Sequence, residues 1–386
     1  MDKRTWAEID IDALAYNMKN IRRITKPDAE IMAVVKANAY GHGAVECAKV
    51  LLSNGADRLG VATLDEAIEM RKCFRDVPII ILGSSCEDDA EDIVRYGITA
   101  SVYTDDIALA LSREANKQGT TAKIHIKIDT GMSRIGYVAS DVDNSEVVNE
   151  ILRISKLENI ETEGIFSHFA TSDEDDETYT RLQFKRFMAL CDDLENAGLK
   201  IPIKHICNSA AIMMYPEYHL DMVRPGIILY GMYPSDEVDR KKLDLRYVMS
   251  LKSTITYVKE IASGTGVSYG KEYIADGTAK IATVPVGYAD GYSRLLAGKA
   301  KISVNGKLFP IAGRICMDQC MIDVTSVNNI DRGDEALIFG EGNVTVDDIA
   351  NWLGTINYEI TCMINRRVPR IYIKRGENVA VVDYLL

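Results

Sequence analysis

Residues 31–43 read IMAVVKANAYGHG. Five apolar residues lead to Lys36, and small residues, an aromatic and two glycines follow at once. A short continuous apolar run closed by turn residues reads as a strand buried on both faces. Such strands belong to parallel sheets covered by helices. Delivering an ammonium to the tip of a buried strand costs desolvation unless the charge has a task or a partner. What Lys36 does there is the question put to the rest of the chain.

Eight runs of this kind occur, at 31–36, 58–62, 78–82, 98–103, 123–129, 162–168, 203–207 and 226–230. Amphipathic stretches lie between them, at 44–54, 64–75, 87–96, 105–118, 145–157 and 178–198. The alternation predicts parallel strands joined by crossover helices. Eight units over about 230 residues match the size of a (β/α)8 barrel. An open doubly wound sheet is the competing architecture, and the count of eight favours closure. After residue 240 the runs become short and β-branched, with turn signals between them, and Asn305-Gly306 marks a hairpin. The expected organisation is a barrel over 1–241 and a mostly-β domain over 242–386.

Composition narrows the function. The 386 residues carry 45 Lys and Arg against 57 Asp and Glu, a net charge of −12. That balance argues against nucleic acid and anionic membrane surfaces as partners. No apolar run approaches the roughly 20 residues a membrane helix needs. The eight cysteines are scattered without a C-x-x-C pair, so neither a metal site nor a disulfide is expected. Reduced thiols suit a cytoplasmic protein.

Barrel chemistry sits at the C-terminal ends of the strands. Lys36 closes the first run, Lys127 and Asp129 the fifth, and His168 the sixth; Arg134 lies in the loop DTGMSRIG. Asn208 and Ser209 follow the seventh run and read as the cap and start of a short helix. Arg224-Pro225-Gly226-Ile227 leads into the eighth. Ser209 with the Gly226 and Ile227 amides fits the phosphate site that barrels build near their last two strands. A lysine amine facing a phosphate cradle suits pyridoxal phosphate bound as a Schiff base. A Schiff-base lyase acting on a sugar phosphate is the alternative from the same residues. It leaves Arg224, His168 and the attached β domain without a purpose. Taken singly, Lys36 reads as a solvated strand end, His168 as a core histidine, and Tyr269 and Tyr358 as packing aromatics. Their shared face carries the functional reading.

The segments VVKANAYGHG, KIDTGMSRIG, GIFSHFATSD, NSAA, MVRPGIILYG, GVSYG, VPVGYADGYSR, GRICMDQ and INYE run in order from Trp6 to Tyr384. Together they resemble the bacterial alanine racemases. The resemblance implies a homodimer of barrel-plus-β protomers that uses pyridoxal 5′-phosphate to interconvert L- and D-alanine for peptidoglycan. It implies that Lys36 holds the cofactor covalently. Tyr40, Ser209, Tyr358 and the backbone of Gly226 and Ile227 would hold its phosphate, and Asn208 would belong to the cofactor site. Arg224 would face the ring nitrogen, supported by His168. Arg134 would reach the phenolic oxygen and the substrate carboxylate, ordered by Lys127, a position that can be a carbamate. Tyr269 matches a second base supplied by the other subunit, on the L-face, while Lys36 serves the D-face. Met317 and Asp318 match residues at the substrate carboxylate, also supplied by the other subunit, and Tyr288 and Arg294 match residues lining the entrance. A serine or broad-specificity racemase on the same scaffold, distinguished at Tyr358 and Cys316, is the closest alternative. A non-enzymatic cofactor carrier would lack the β domain.

Overall fold

In the computed structural model the described residues run from Arg4 to Leu386. They form two compact units. One comprises Leu14–Ala39 and Ala44–Arg246; the other comprises the residues through Ala13, Tyr40–Gly43 and Tyr247–Leu386.

The first unit is a (β/α)8 barrel. Its parallel strands are Glu30–Val34, Arg58–Val61, Ile79–Ile81, Thr99–Val102, Ala122–Asp129, Ile160–Phe166, Ile203–His205 and Met222–Val223, paired in that order, and the last pairs back to the first. The seam between the seventh and eighth is closed by single bonds, Asp221 N–H to the Lys204 carbonyl (3.1 Å) and Arg224 N–H to the Cys207 carbonyl (3.0 Å). Helices follow the strands, among them Ala44–Ser53, Leu64–Cys73, Asp105–Gln118, Ser145–Ile154 and Thr178–Asn196.

The eighth strand is not where the apolar run 226–230 placed it. Met222–Val223 forms the strand, and Ile227–Tyr230 is a fully buried 3-10 turn. The Pro225 ring removes a backbone donor, and the Gly226 amide goes to the Ser209 hydroxyl instead of a ladder. An apolar run buried on all sides carries no periodicity that separates strand from helix.

The barrel interior is divided. Met32, Ile80 and Met222 pack together as an apolar cluster. His125, Lys127, His205 and Arg224 are buried polar groups of the same barrel. Gly164 makes room for them, because a Cβ there would meet the His125 ring at 2.5–2.7 Å.

The second unit is mostly β. Its seven-stranded sheet has the order Lys307–Pro310, Lys301–Val304, Glu335–Phe339, Met249–Thr254, Thr5–Asp10, Arg370–Lys374, Glu377–Val382. Val304 pairs with Lys307 across Asn305-Gly306, both at positive φ (51° and 74°), as a two-residue hairpin requires. A three-stranded sheet of Tyr257–Ile261, Ala279–Val284 and Cys320–Asp323 adjoins a small hairpin, Gly266–Val267 with Tyr273–Ile274. Between the two short strands of that hairpin lies Tyr269.

Candidate active site

Lys36 stands two residues past its strand and opens a left-handed turn. Ala37, Asn38, Ala39 and Tyr40 all have φ between 51° and 54°. Left-handed backbone costs a non-glycine residue about 1–2 kcal/mol and is usually visited singly. Here the Ala39 amide reaches the Val35 carbonyl (2.8 Å), Asn38 Oδ1 accepts from the Ala44 amide (2.8 Å), and Glu66 Oε1 accepts from the Ala37 amide (2.6 Å). Glu66 also accepts from the Ala62 amide (2.8 Å), so one helix-borne carboxylate ties the turn to the loop after the second barrel strand. Strain of this kind persists only where surroundings over-determine it, and such places cluster at functional sites.

Arg224 is 4% exposed. Its guanidinium donates to His205 Nδ1 (2.9 Å), His168 Nδ1 (3.2 Å), and the carbonyls of Ser167 (2.7 Å) and Ile206 (3.1 Å). All four acceptors are neutral. Burial lowers the Arg224 pKa to about 10, which leaves it charged at neutral pH. A guanidinium has no acceptor, so the protons of His168 and His205 must sit on Nε2. His205 Nε2 then donates to His125 Nδ1 (2.8 Å), and His125 Nε2 to Glu163 (3.1 Å). The chain of donors has one direction and ends on a carboxylate that also accepts from Arg58 and Lys123. Burial holds the three imidazoles below the ordinary histidine range. For His168 the fields of Arg224, Arg134, Lys127 and Lys36 add to that push.

Lys127 donates to the Ile128 carbonyl (2.9 Å) and lies 5.1 Å above the Phe166 ring. Burial, then Arg224 and Arg134, lower its pKa to about 7, against a weaker pull from Asp129. Asp129 Oδ1 is engaged with the amides of Gly131 (2.8 Å) and Ser133 (3.0 Å), which shape the loop that carries Arg134. The helix Thr178–Asn196 anchors the same loop. Tyr179 donates to the Gly131 carbonyl, Gln183 to Thr130 Oγ1 and to the His168 carbonyl, and Arg186 to the Thr130 carbonyl. Asn208 caps the short helix Ser209–Met214, its Oδ1 accepting from the Ala211 amide (3.0 Å), and Ser209 Oγ accepts from Gly226 N–H (2.9 Å). Ile227 follows with its side chain fully buried. The barrel unit therefore gathers Lys36, Lys127, Arg134, His168 and Arg224 electrostatically, and joins Ser209 to Gly226 by a hydrogen bond.

In the β unit, Tyr269, Tyr288, Arg294, Cys316, Met317 and Asp318 line one groove of about 730 Å³. Tyr269 is 68% exposed and Met317 53%. Ser268, just before Tyr269, has φ 63° and is held by its hydroxyl on the Arg314 carbonyl (2.6 Å). Tyr40 and Tyr358 lie in the same unit with ring centroids 6.2 Å apart. Burial pushes the Tyr40 phenol up, so it stays protonated. A second groove of about 700 Å³, between residues 140–145 and the helix Thr178–Asn196, holds none of the candidate residues.

Sequence reading missed His205, which holds Arg224, and Glu66, which holds the turn after Lys36. His205 carried a signal. His125 and Lys127 share one face of their strand by the two-residue period, so polar groups inside the barrel were to be expected. Glu66 carried none, because a helix acid usually serves its own N-terminus.

The fold and comparisons with known proteins define the class. Residues 9–234 match the family model "Alanine racemase, N-terminal domain" and residues 248–372 match "Alanine racemase, C-terminal domain". An alanine racemase of Clostridium tetani is 52% identical over 384 residues, covering 98% of each chain. The solved alanine racemase of Clostridium difficile 630 superposes with a TM-score of 0.96 at 46% identity, covering 100% of both chains. Its complex with cycloserine gives 0.94 at 45% identity, again with full coverage. The match describes an isomerase, an amino-acid racemase with a barrel and a β domain. The chain belongs to the alanine racemase family.

Proposed function

We propose that this enzyme interconverts L- and D-alanine by a two-base reaction, as a homodimer, with pyridoxal 5′-phosphate held by Lys36. The observation that carries the reading is the gathering of buried cations in the barrel: Lys127 and Arg224 both lie over the Phe166 ring (5.1 and 5.5 Å), and Arg224 bonds His168 (3.2 Å). Such an excess of cations fits an anionic, phosphate-bearing cofactor, and the neutral acceptors around Arg224 leave its charge for that ligand. Bound there, the cofactor supplies an electron-withdrawing ring that acidifies the α-hydrogen of alanine.

The residues divide the work. Lys36 exchanges proton for the D-face and the partner subunit's Tyr269 for the L-face. Arg224 stays charged at neutral pH and can only donate, so it would hold a cofactor ring nitrogen as a hydrogen-bond acceptor. His168 and His205 hold that guanidinium in place. Tyr40, Ser209, Tyr358 and the backbone of Gly226 and Ile227 take the phosphate, and Asn208 belongs to the cofactor site. Arg134 and the partner subunit's Met317 and Asp318 take the substrate carboxylate, with Tyr288 and Arg294 at the entrance. The exposure of Tyr269 and Met317 supports a role toward a partner subunit. Lys127 with a pKa of about 7 has a large neutral fraction near neutrality, the form that adds CO2 to give a carbamate able to order Arg134. The expected role is supply of D-alanine for peptidoglycan. Eight free cysteines suit the cytoplasm. Among the described residues no helix is long and apolar enough to cross a membrane, and no group of three His, Cys, Asp or Glu could hold a metal.

The test is an L-alanine conversion assay coupled to D-amino-acid oxidase. Wild type converts the substrate, while Lys36→Ala and Tyr269→Phe lose most of the activity; an active Lys36→Ala protein without added amine refutes the reading. A panel of L-serine and larger amino acids separates strict alanine use from broad specificity. Mass analysis under bicarbonate reads the Lys127 adduct, and an unmodified amine at saturating bicarbonate removes that assignment.

A further inference from the structure

Asp290 is 0% exposed. Its Oδ1 accepts from Arg4 Nη1 (2.8 Å) and Arg367 Nε (2.7 Å), and its Oδ2 from Arg4 Nη2 (3.0 Å) and the Gly287 amide (2.9 Å). Its own carbonyl accepts from the Asn365 amide (3.1 Å). The carboxylate lies below its usual range, because two guanidiniums and an amide offset the cost of burial.

Both arginines have a second contact, and it falls on one residue. Arg367 Nη2 donates to Asp318 Oδ1 (2.7 Å), and Arg4 Nη2 donates to the Asp318 carbonyl (3.0 Å). The turn that carries Asp290 is stitched to the same segment by its backbone. The Tyr288 amide donates to the Cys316 carbonyl (3.2 Å) and the Ala289 amide to the Met317 carbonyl (3.0 Å). Gly287 has to be glycine here, since a Cβ would meet those two carbonyl oxygens at 2.3–2.4 Å. Asp290 therefore links the turn bearing Tyr288 to the loop bearing Met317 and Asp318, through two cations of fixed planar geometry.

We infer that Asp290 is a positioning residue for substrate binding, which sets the Met317–Asp318 loop through Arg4 and Arg367. The inference rests on the proposed role of that loop at the substrate carboxylate. A buried ion pair adds little net stability over an apolar replacement but fixes geometry well. Removing the charge on Asp290 removes the buried anion that fixes both guanidiniums, so they no longer hold Asp318 in one position. The effect falls on substrate affinity rather than on proton transfer, because the two proposed bases lie on other segments.

The experiment compares wild type with Asp290→Asn and Arg367→Gln, as intact protein carrying its cofactor. Asp290→Asn keeps the shape and loses the charge. Arg367→Gln keeps the Asp290–Arg4 pair and removes both Arg367 contacts, to Asp290 and to the Asp318 side chain. The expected result is a KM for alanine raised roughly tenfold in each variant with kcat within about threefold, since ground-state positioning is lost and the chemical step is not. Hydrogen exchange at the Cys316 amide, which bonds the Gln319 carbonyl at 2.8 Å, should quicken in both. A merely structural role would lower the melting temperature and the active fraction and leave KM per active site unchanged; that outcome overturns the inference. Wild-type exchange at Cys316 in both variants overturns it as well. If wild type itself does not convert alanine, the functional reading fails, and the exchange comparison still decides whether Asp290 sets the loop.

Discussion

The barrel interior and the groove of the β unit treat charge in opposite ways. At Arg224 a buried cation is surrounded by neutral acceptors, and the donor chain reaches a carboxylate, Glu163, only two imidazoles away. At Asp290 a buried anion is neutralised on the spot by two guanidiniums. The first arrangement leaves charge available to a ligand and displaces the pKa of its neighbours. The second spends its charge on geometry and leaves the lining residues, Tyr269 and Met317, exposed. One unit prepares electrostatics and the other prepares shape.

The largest effects fall on the two proposed bases, one in each unit. Lys36→Ala should lower kcat by about 10⁴ or more, and Tyr269→Phe by about 10²–10⁴, in the coupled D-alanine assay. A Tyr269→Phe enzyme with wild-type kcat would remove the groove from the chemistry and leave only the barrel.

Lys127 sharpens the barrel side through pH. Its folded pKa is about 7 against an ordinary 10.5, so between those values the unfolded chain binds the extra proton. Stability should therefore rise with pH across that window, by about 2–5 kcal/mol for a shift of this size. The check is the urea midpoint of wild type and Lys127→Met in CO2-free buffer from pH 7 to pH 10. The variant should lack the rise. Parallel curves would mean that the lysine is solvated.

His205→Leu tests the donor chain. It strands one Arg224 N–H and the His125 Nδ1 in the interior, at a cost of about 1–3 kcal/mol by chemical denaturation. It should also lower kcat/KM, because Arg224 loses an orienting contact. Loss of stability with unchanged kinetics would confine His205 to packing. The smallest effect belongs to the groove: Tyr269→Phe, at an exposed position, should change unfolding free energy by less than about 0.5 kcal/mol. A larger loss would show that Tyr269 holds the fold of its own unit.

Much of the architecture could be read before any coordinates. Seven of the eight apolar runs overlap barrel strands, and Asn305-Gly306 forms the hairpin its φ preferences require. Asn208 was legible as a cap because the N-cap position rewards an oxygen acceptor whatever the context. The run GIILY at 226–230 was not legible, because full burial erases the periodicity that separates strand from turn. Nor were the partners of Glu66, His205 and Asp290. Each of the three acts on a partner between 19 and 286 positions away, and no local pattern encodes such a contact.

The strands, the covering helices and the placing of Lys36 at a strand tip follow from local periodicity and turn chemistry, and so are written in the amino-acid sequence. Only the tertiary structure decided what state the lysines and histidines are in. Desolvation and the summed field of distant cations set a pKa, and both depend on which strands close the barrel around them. The left-handed turn from Ala37 to Tyr40 belongs to the same class. Alanine does not favour that backbone alone, and the Glu66 carboxylate from another helix helps to hold it there.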